Sequence, residues 1–297
     1  MIYNFSSIKY FKFLFSVLLI STVTSCKTET IEPDEIDSDY ITDVYDYVYA
    51  PGQHAQLAKA EDIQYFKGNP EKHSKWLYLG GFGGYIIAGF NHDVINGEGA
   101  DFEVYALKGS SPEPAIVYVM PDSNNDNKPN DIWYELIGNQ HENSKRNYWV
   151  KYMKPSSENA NISWLDSDGK TGELIPGFNS TFSAVWWWPA TSTESITFNG
   201  TRLIDVYSNV GTSTEQHWVV PTDLFTWGYA ENNTGTDFIS STAANQLDIS
   251  NAIDSSGKSV NLASIRFIKV QTAVFQQAGW TNEVSSEVRG AKDLRKK

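Results

Sequence analysis

The 297-residue chain has a single cysteine, few basic residues and no apolar run long enough to cross a bilayer as a helix. One cysteine excludes a disulfide-stapled scaffold and any cysteine-rich metal site. The short apolar runs exclude a polytopic helical membrane protein. Lys and Arg number 23 against 36 Asp and Glu, a formal charge of −13. Nucleic acid is thereby excluded as a partner, because phosphate binding needs clustered cations and the basic run here is the terminal Arg295-Lys296-Lys297. Aromatic residues, by contrast, are plentiful: 10 Trp, 16 Tyr and 15 Phe supply enough apolar mass for a sizeable core.

The single cysteine has a telling position. Lys9 and Lys12 precede the apolar stretch Phe13 to Ile20, the layout of a secretory signal over residues 1–25. Val23-Thr24-Ser25-Cys26 then resembles the bacterial lipobox, in which Cys26 is lipidated and becomes the mature N-terminus. The alternative is an ordinary signal peptide with an incidental cysteine. Removing Lys9 and Lys12 with the signal leaves 21 basic against 36 acidic residues, a charge of −15. Residues 26–42 are polar and acidic and are expected to form a disordered tether. Acids soon after the cysteine resemble the export signal of Bacteroidetes lipoproteins. The expected location is the outer membrane, reached through the lipid anchor only and facing the exterior, with a periplasmic orientation as the alternative.

Residues 43–290 alternate short runs of Val, Ile, Tyr, Phe and Trp with clusters of Gly, Asn, Asp and Ser, the pattern of an all-β domain. Strands are expected at 76–79, 84–90, 101–107, 115–120, 132–136, 148–153, 195–198, 203–207 and 265–270. Leu57, Ala60, Ile63 and Phe66 have helical spacing, which predicts one short helix over 56–66. Residues 291–297 are expected as a tail. A division into two β-units near 155–177 is the alternative.

The best-defined chemical signal is the loop from Asp122 to Asp131. Asp122, Asn124 and Asp126 place oxygens at its first, third and fifth positions, the Lys128 carbonyl falls at the seventh and Asp131 at the tenth. Hard cations such as Ca²⁺ take oxygen ligands with this spacing. The sixth position is Asn127 instead of Gly, and the twelfth is Trp133 instead of Glu, so a bidentate ligand is missing. Asn tolerates the left-handed backbone that the sixth position requires. The competing account is a plain Asx-capped turn, and a bound Ca²⁺ would be structural.

Trp186-Trp187-Trp188 poses a different question, since three adjacent strand residues cannot share one face. Trp187, Trp188, Trp218, Trp227 and Tyr229 are the candidate ligand-binding rings, able to stack on a sugar or a flat macrocycle. No Ser nucleophile elbow occurs, and the histidines lack ligand spacing. Glycoside hydrolysis would need two facing carboxylates from among Glu103, Glu113, Glu135 and Glu173.

Several stretches together resemble a family of Bacteroidetes cell-surface lipoproteins. They are residues 44–53, the Leu79-to-His92 glycine-rich stretch, the calcium-type loop through Leu136, Trp227-Gly228-Tyr229-Ala230, and Asp248 to Asp254 leading to Phe267 to Ala273. The resemblance implies a jelly-roll-like antiparallel β-sandwich found with TonB-dependent uptake systems for corrinoids, such as vitamin B12, or glycans. Asn91 departs from the family pattern, which has Asp there. The expected function is non-catalytic capture of a small nutrient for a TonB-dependent transporter. The alternatives are an interaction protein and a glycoside-active enzyme.

Overall fold

Successive strand residues point to opposite sides of a sheet, so an alternating run sorts itself into two faces. In the Ser264–Thr272 strand, Ile268 and Val270 enter the main apolar core, while Lys269 and Gln271 take the other face. Its neighbours behave alike. Val117 and Val119 are in the core with Tyr118 opposite, and Ile86 and Ala88 are in the core with Tyr85 and Ile87 opposite. One face of this sheet therefore builds the core and the other is left to form a cleft.

The computed structural model describes residues 39–296, except 110–111, 158–159, 176–186, 190, 212–216, 222 and 280. A six-stranded sheet runs in the order Asp43–Val48, Tyr85–Ile95, Ser264–Thr272, Ala115–Met120, Tyr134–Leu136, Ala252–Ile253. A five-stranded sheet runs Phe238–Ile239, Ala244–Leu247, Phe102–Ala106, Glu287–Asp293, Leu77–Tyr78. Phe102, Val104, Val288 and Ala291 from this sheet join the same core as Ile268 and Val117.

A four-stranded sheet, Ser195–Arg202, Lys145–Met153, Ile162–Asp166, Thr171–Leu174, has its own core around Tyr148, Val150, Tyr152, Phe82, Phe198, Trp187 and Trp188. Pairing is antiparallel throughout, and strands account for 39 % of the structure against 8 % helix. The expected all-β sandwich is what forms. All described residues belong to one compact unit.

Four local expectations need correction. Residues 55–57 and 60–66 form two 3-10 segments in place of one helix, and Leu57 and Ala60 are exposed. Phe66 alone of the four spaced positions is fully buried, so there is no amphipathic face to hold a longer α-helix. The Leu203-to-Tyr207 segment is not a strand, although both end residues are buried. The expected tether boundary at 42 lies inside the packed fold, because Tyr40, Ile41 and Thr42 are buried and Tyr40 bridges Lys292.

The expected 291–297 tail is likewise structured. Ala291 and Asp293 are buried in the last strand, and Arg295 Nε lies 2.8 Å from Asp101 Oδ1. Within the glycine-rich stretch close backbone packing is evident: a Cβ on Gly84 would lie 1.7 Å from the Leu79 carbonyl oxygen. No helix among the described residues is long and apolar enough to cross a membrane.

Candidate functional site

Strand register assembles the larger cleft, of about 450 Å³. Lys269 stands opposite Ile87 on one side and Tyr118 on the other. Tyr118 stands opposite Glu135, and Glu135 opposite Ile253. All five line the cleft floor, and Thr197 to Thr201 with Arg146 and Asn147 form the facing wall from the four-stranded sheet.

The Lys269 ammonium lies 4.6 Å from the Tyr85 ring centroid and 5.1 Å from that of Tyr118, close enough for cation–π attraction. Burial lowers its pKa to about 8, with nearby Asp46 opposing the shift. Glu135 is pushed upward by burial, against a hydrogen bond from Thr201 Oγ1 and the charge of Arg146.

A second cleft, of about 330 Å³, is walled by aromatic rings. Phe82, Tyr152, Trp164, Trp187 and Phe275 line it, with Trp164 standing edge-on to Phe275 at 5.0 Å. Arg202 lies 5.4 Å from the Phe275 ring and is paired with Asp205 at 2.6 Å. Lys170, Glu173, Gln276 and Asn282 add polar groups around the rim. Asp166 is pressed upward by burial, but bonds from Tyr148 Oη and the amides of Lys170 and Asp168 outweigh this, and its pKa falls.

The five candidate rings do not form one site. Trp187 borders the ring-lined cleft, and its indole nitrogen has no partner among the described residues. Trp187, Trp188 and Tyr229 are core residues at 2 %, 1 % and 0 % exposure, which corrects their assignment as ligand contacts. Tyr229 accepts the Gln140 N–H at its hydroxyl and stands edge-on to Phe225. Trp227 borders a separate cleft of about 230 Å³, and Trp218 packs on Tyr207. Trp187 and Trp188 can both be buried because they lie outside any strand, so two-face alternation does not apply to them. Trp186 and Cys26 lie outside the described residues.

The Asp122-to-Asp131 loop is held by its own side chains. Asp122 accepts the amides of Asp126 and Asn127, Asn124 accepts that of Asp126, and Asp126 accepts that of Lys128. Asn127 takes the left-handed conformation, φ 57°, that the sixth position of such a loop requires. These bonds orient the oxygens of Asp122, Asn124 and Asp126 and leave each a further lone pair. Asp131 instead accepts the Ser123 amide. The carboxylate oxygens of Asp122, Asp126 and Asp131 do not all come within 4.8 Å of one another.

Among the described residues, the acids that do converge are Glu113, Glu231 and Glu287, whose oxygens all lie within 4.8 Å. Glu231 accepts the Glu287 amide, and Glu113 accepts that of Ser285. Burial raises the pKa of all three, and mutual repulsion adds to the shift for Glu231 and Glu287. Neighbouring Glu283 is raised to about 8 by burial, against the bond it accepts from the Gln53 amide. Only Glu113 of these was a candidate from sequence. Glu231 lies more than 50 positions before Glu283 and Glu287, so linear spacing carries no sign that these acids meet.

The four glutamates considered for glycoside hydrolysis do not meet. Glu103 bonds the Tyr105 hydroxyl, Glu113 joins the acid cluster, Glu135 lines the larger cleft and Glu173 the ring-lined one.

The chain matches no protein-family model and no curated protein.

Proposed function

We propose that the protein is a non-catalytic lipoprotein of the outer-membrane surface that captures a small nutrient and hands it to a TonB-dependent transporter. The observation carrying this reading is the ring-lined cleft, where Trp164 and Phe275 meet Arg202, Glu173 and Asn282. Rings that stack on an apolar sugar face, beside groups that bond its hydroxyls, are how a protein holds a saccharide. At about 330 Å³ the cleft is at the small end of ligand pockets and suits one or two sugar units. A corrinoid would touch it only along an edge, so a glycan is the favoured nutrient. The signal-and-lipobox sequence ending at Cys26 supports the anchored location.

Calorimetric titration of the full chain with a neutral oligosaccharide panel and with cobalamin tests this reading. Binding of an oligosaccharide, weakened about tenfold or more by Trp164→Ala, is the expected result, corresponding to about 1.4 kcal/mol. Silence across both panels would overturn capture, and release of reducing sugar would overturn the non-catalytic assignment.

A further inference from the structure

The larger cleft contains two cations, Lys269 and Arg146, that form no ion pair among the described residues, with Asp46 and Glu135 as their nearest acidic influences, in a chain whose formal charge is −13. Lys269 lies at its floor on the central Ser264–Thr272 strand. Among the described residues no carboxylate lies within ion-pair distance of its ammonium, and no acceptor hydrogen-bonds it; its close neighbours are the faces of Tyr85 and Tyr118. Arg146, on the wall, has one long bond to the Ser256 carbonyl, 3.4 Å, and no ion pair among the described residues.

The acids that share the cleft are engaged elsewhere. Glu135 is bonded by Thr201, and Asp254 is occupied by the amides of Ser256 and Lys258. Partly withdrawing an ammonium from water without an ion pair is costly, which favours an incoming anion beside the half-buried Lys269.

A third group narrows the class of ligand. Gln271, two residues on and on the same face, is 3 % exposed. Its Nε2 donates to the carbonyls of Gly83 at 2.7 Å and Asn199 at 3.1 Å, which fixes the amide orientation. Its Oε1 consequently faces Gly200 with no donor among the described residues. A buried acceptor left without a donor is as costly as a lost hydrogen bond, and a hydroxyl hydrogen would satisfy it. The cleft thus offers cations for a carboxylate and, behind Gly200, a carbonyl oxygen without a donor.

We propose that the cleft between the outer face of the six-stranded sheet and the four-stranded sheet binds a small hydroxylated carboxylate of the sugar-acid class. Lys269 and Arg146 face its carboxylate, and a shift of the covering Gly200 backbone opens Gln271 Oε1 to its hydroxyl. This site is distinct from the ring-lined cleft and stands whether or not that cleft binds a neutral sugar.

The test is calorimetric titration of the full chain with glucuronate, galacturonate, glucose, acetate and inorganic phosphate, repeated for Lys269→Met, Lys269→Arg and Arg146→Gln. A uronate should bind at least tenfold more tightly than glucose or acetate, and more tightly than phosphate. Lys269→Met should lose at least tenfold, with Lys269→Arg recovering part of it. Arg146→Gln, at the half-buried wall, should lose severalfold with an unchanged melting temperature, which keeps the test sound if the Lys269 variants fold poorly. Equal binding of glucose and glucuronate, preference for phosphate, absence of uronate binding, or full uronate affinity in Arg146→Gln would each overturn the proposal.

Discussion

Raising the pH from 5 to 7 should weaken the folded state through Glu283, and the effect can be sized. Glu283 is buried beside the Glu113, Glu231 and Glu287 cluster, and its pKa in the fold is about 8, against 4.5 for a free glutamate. Below pH 4.5 it is protonated in both states. Between 4.5 and 8 the folded chain keeps the proton that the unfolded chain releases, so stability is full at the low end and is lost as the pH climbs toward 8.

Each such carboxyl contributes on the order of 1 kcal/mol per pH unit, or about 3 kcal/mol from pH 5 to 7. Glu113, also raised to about 8, acts in the same direction. His54, His73 and His141 act oppositely in this window, because burial lowers their pKa and folding leaves them neutral. The decisive comparison is therefore wild type against Glu283→Gln, which keeps an oxygen for the Gln53 amide and removes the titration.

Urea unfolding at pH 5, 6 and 7 in the presence of chelator should show the difference between the two proteins changing by about 3 kcal/mol, with the variant gaining relative stability as the pH rises. Parallel pH profiles, or a variant losing ground at pH 7, would refute the claim that Glu283 is held protonated.

Trp188→Ala should cost about 3 to 5 kcal/mol in the same urea assay, as expected for a buried ring, and a loss below about 1 kcal/mol would return Trp188 to the ligand candidates. If the Asp122-to-Asp131 loop takes calcium, a hundredfold excess over Kd should stabilise the chain by about 2.7 kcal/mol, read as a Tm rise of a few degrees. Asp126→Ala should abolish that rise, and melts identical with and without Ca²⁺ would leave the loop as a self-capped turn. Gly84→Ala should be strongly destabilising, since its Cβ would collide with the Leu79 carbonyl oxygen; an unchanged Tm would show that the backbone can shift there.

The strands most legible in the sequence were those whose alternation is cleanest. Ala115–Met120 falls where its run of Ala, Ile, Val, Tyr, Val and Met places it, and Tyr85–Ile95 and Ser264–Thr272 extend their expected cores by a few residues. Short pairs such as Phe238–Ile239 and Ala252–Ile253 left no signal, because two residues have no period and exist as strands only through their partners. The left-handed Asn127 was legible as loop chemistry. The burial of Trp187 and Trp188 was not, since strand alternation does not hold where the backbone is irregular.

The sequence by itself determined the all-β class and the acidic balance, because each depends on composition and on neighbours along the chain. Only the tertiary structure decided which side chains share a cleft. Lys269, Tyr118, Glu135 and Ile87 come from four strands and meet through interstrand register, and Glu113, Glu231 and Glu287 converge from three distant segments. A two-residue period states which face a side chain takes, but register between strands far apart in the chain decides what stands beside it.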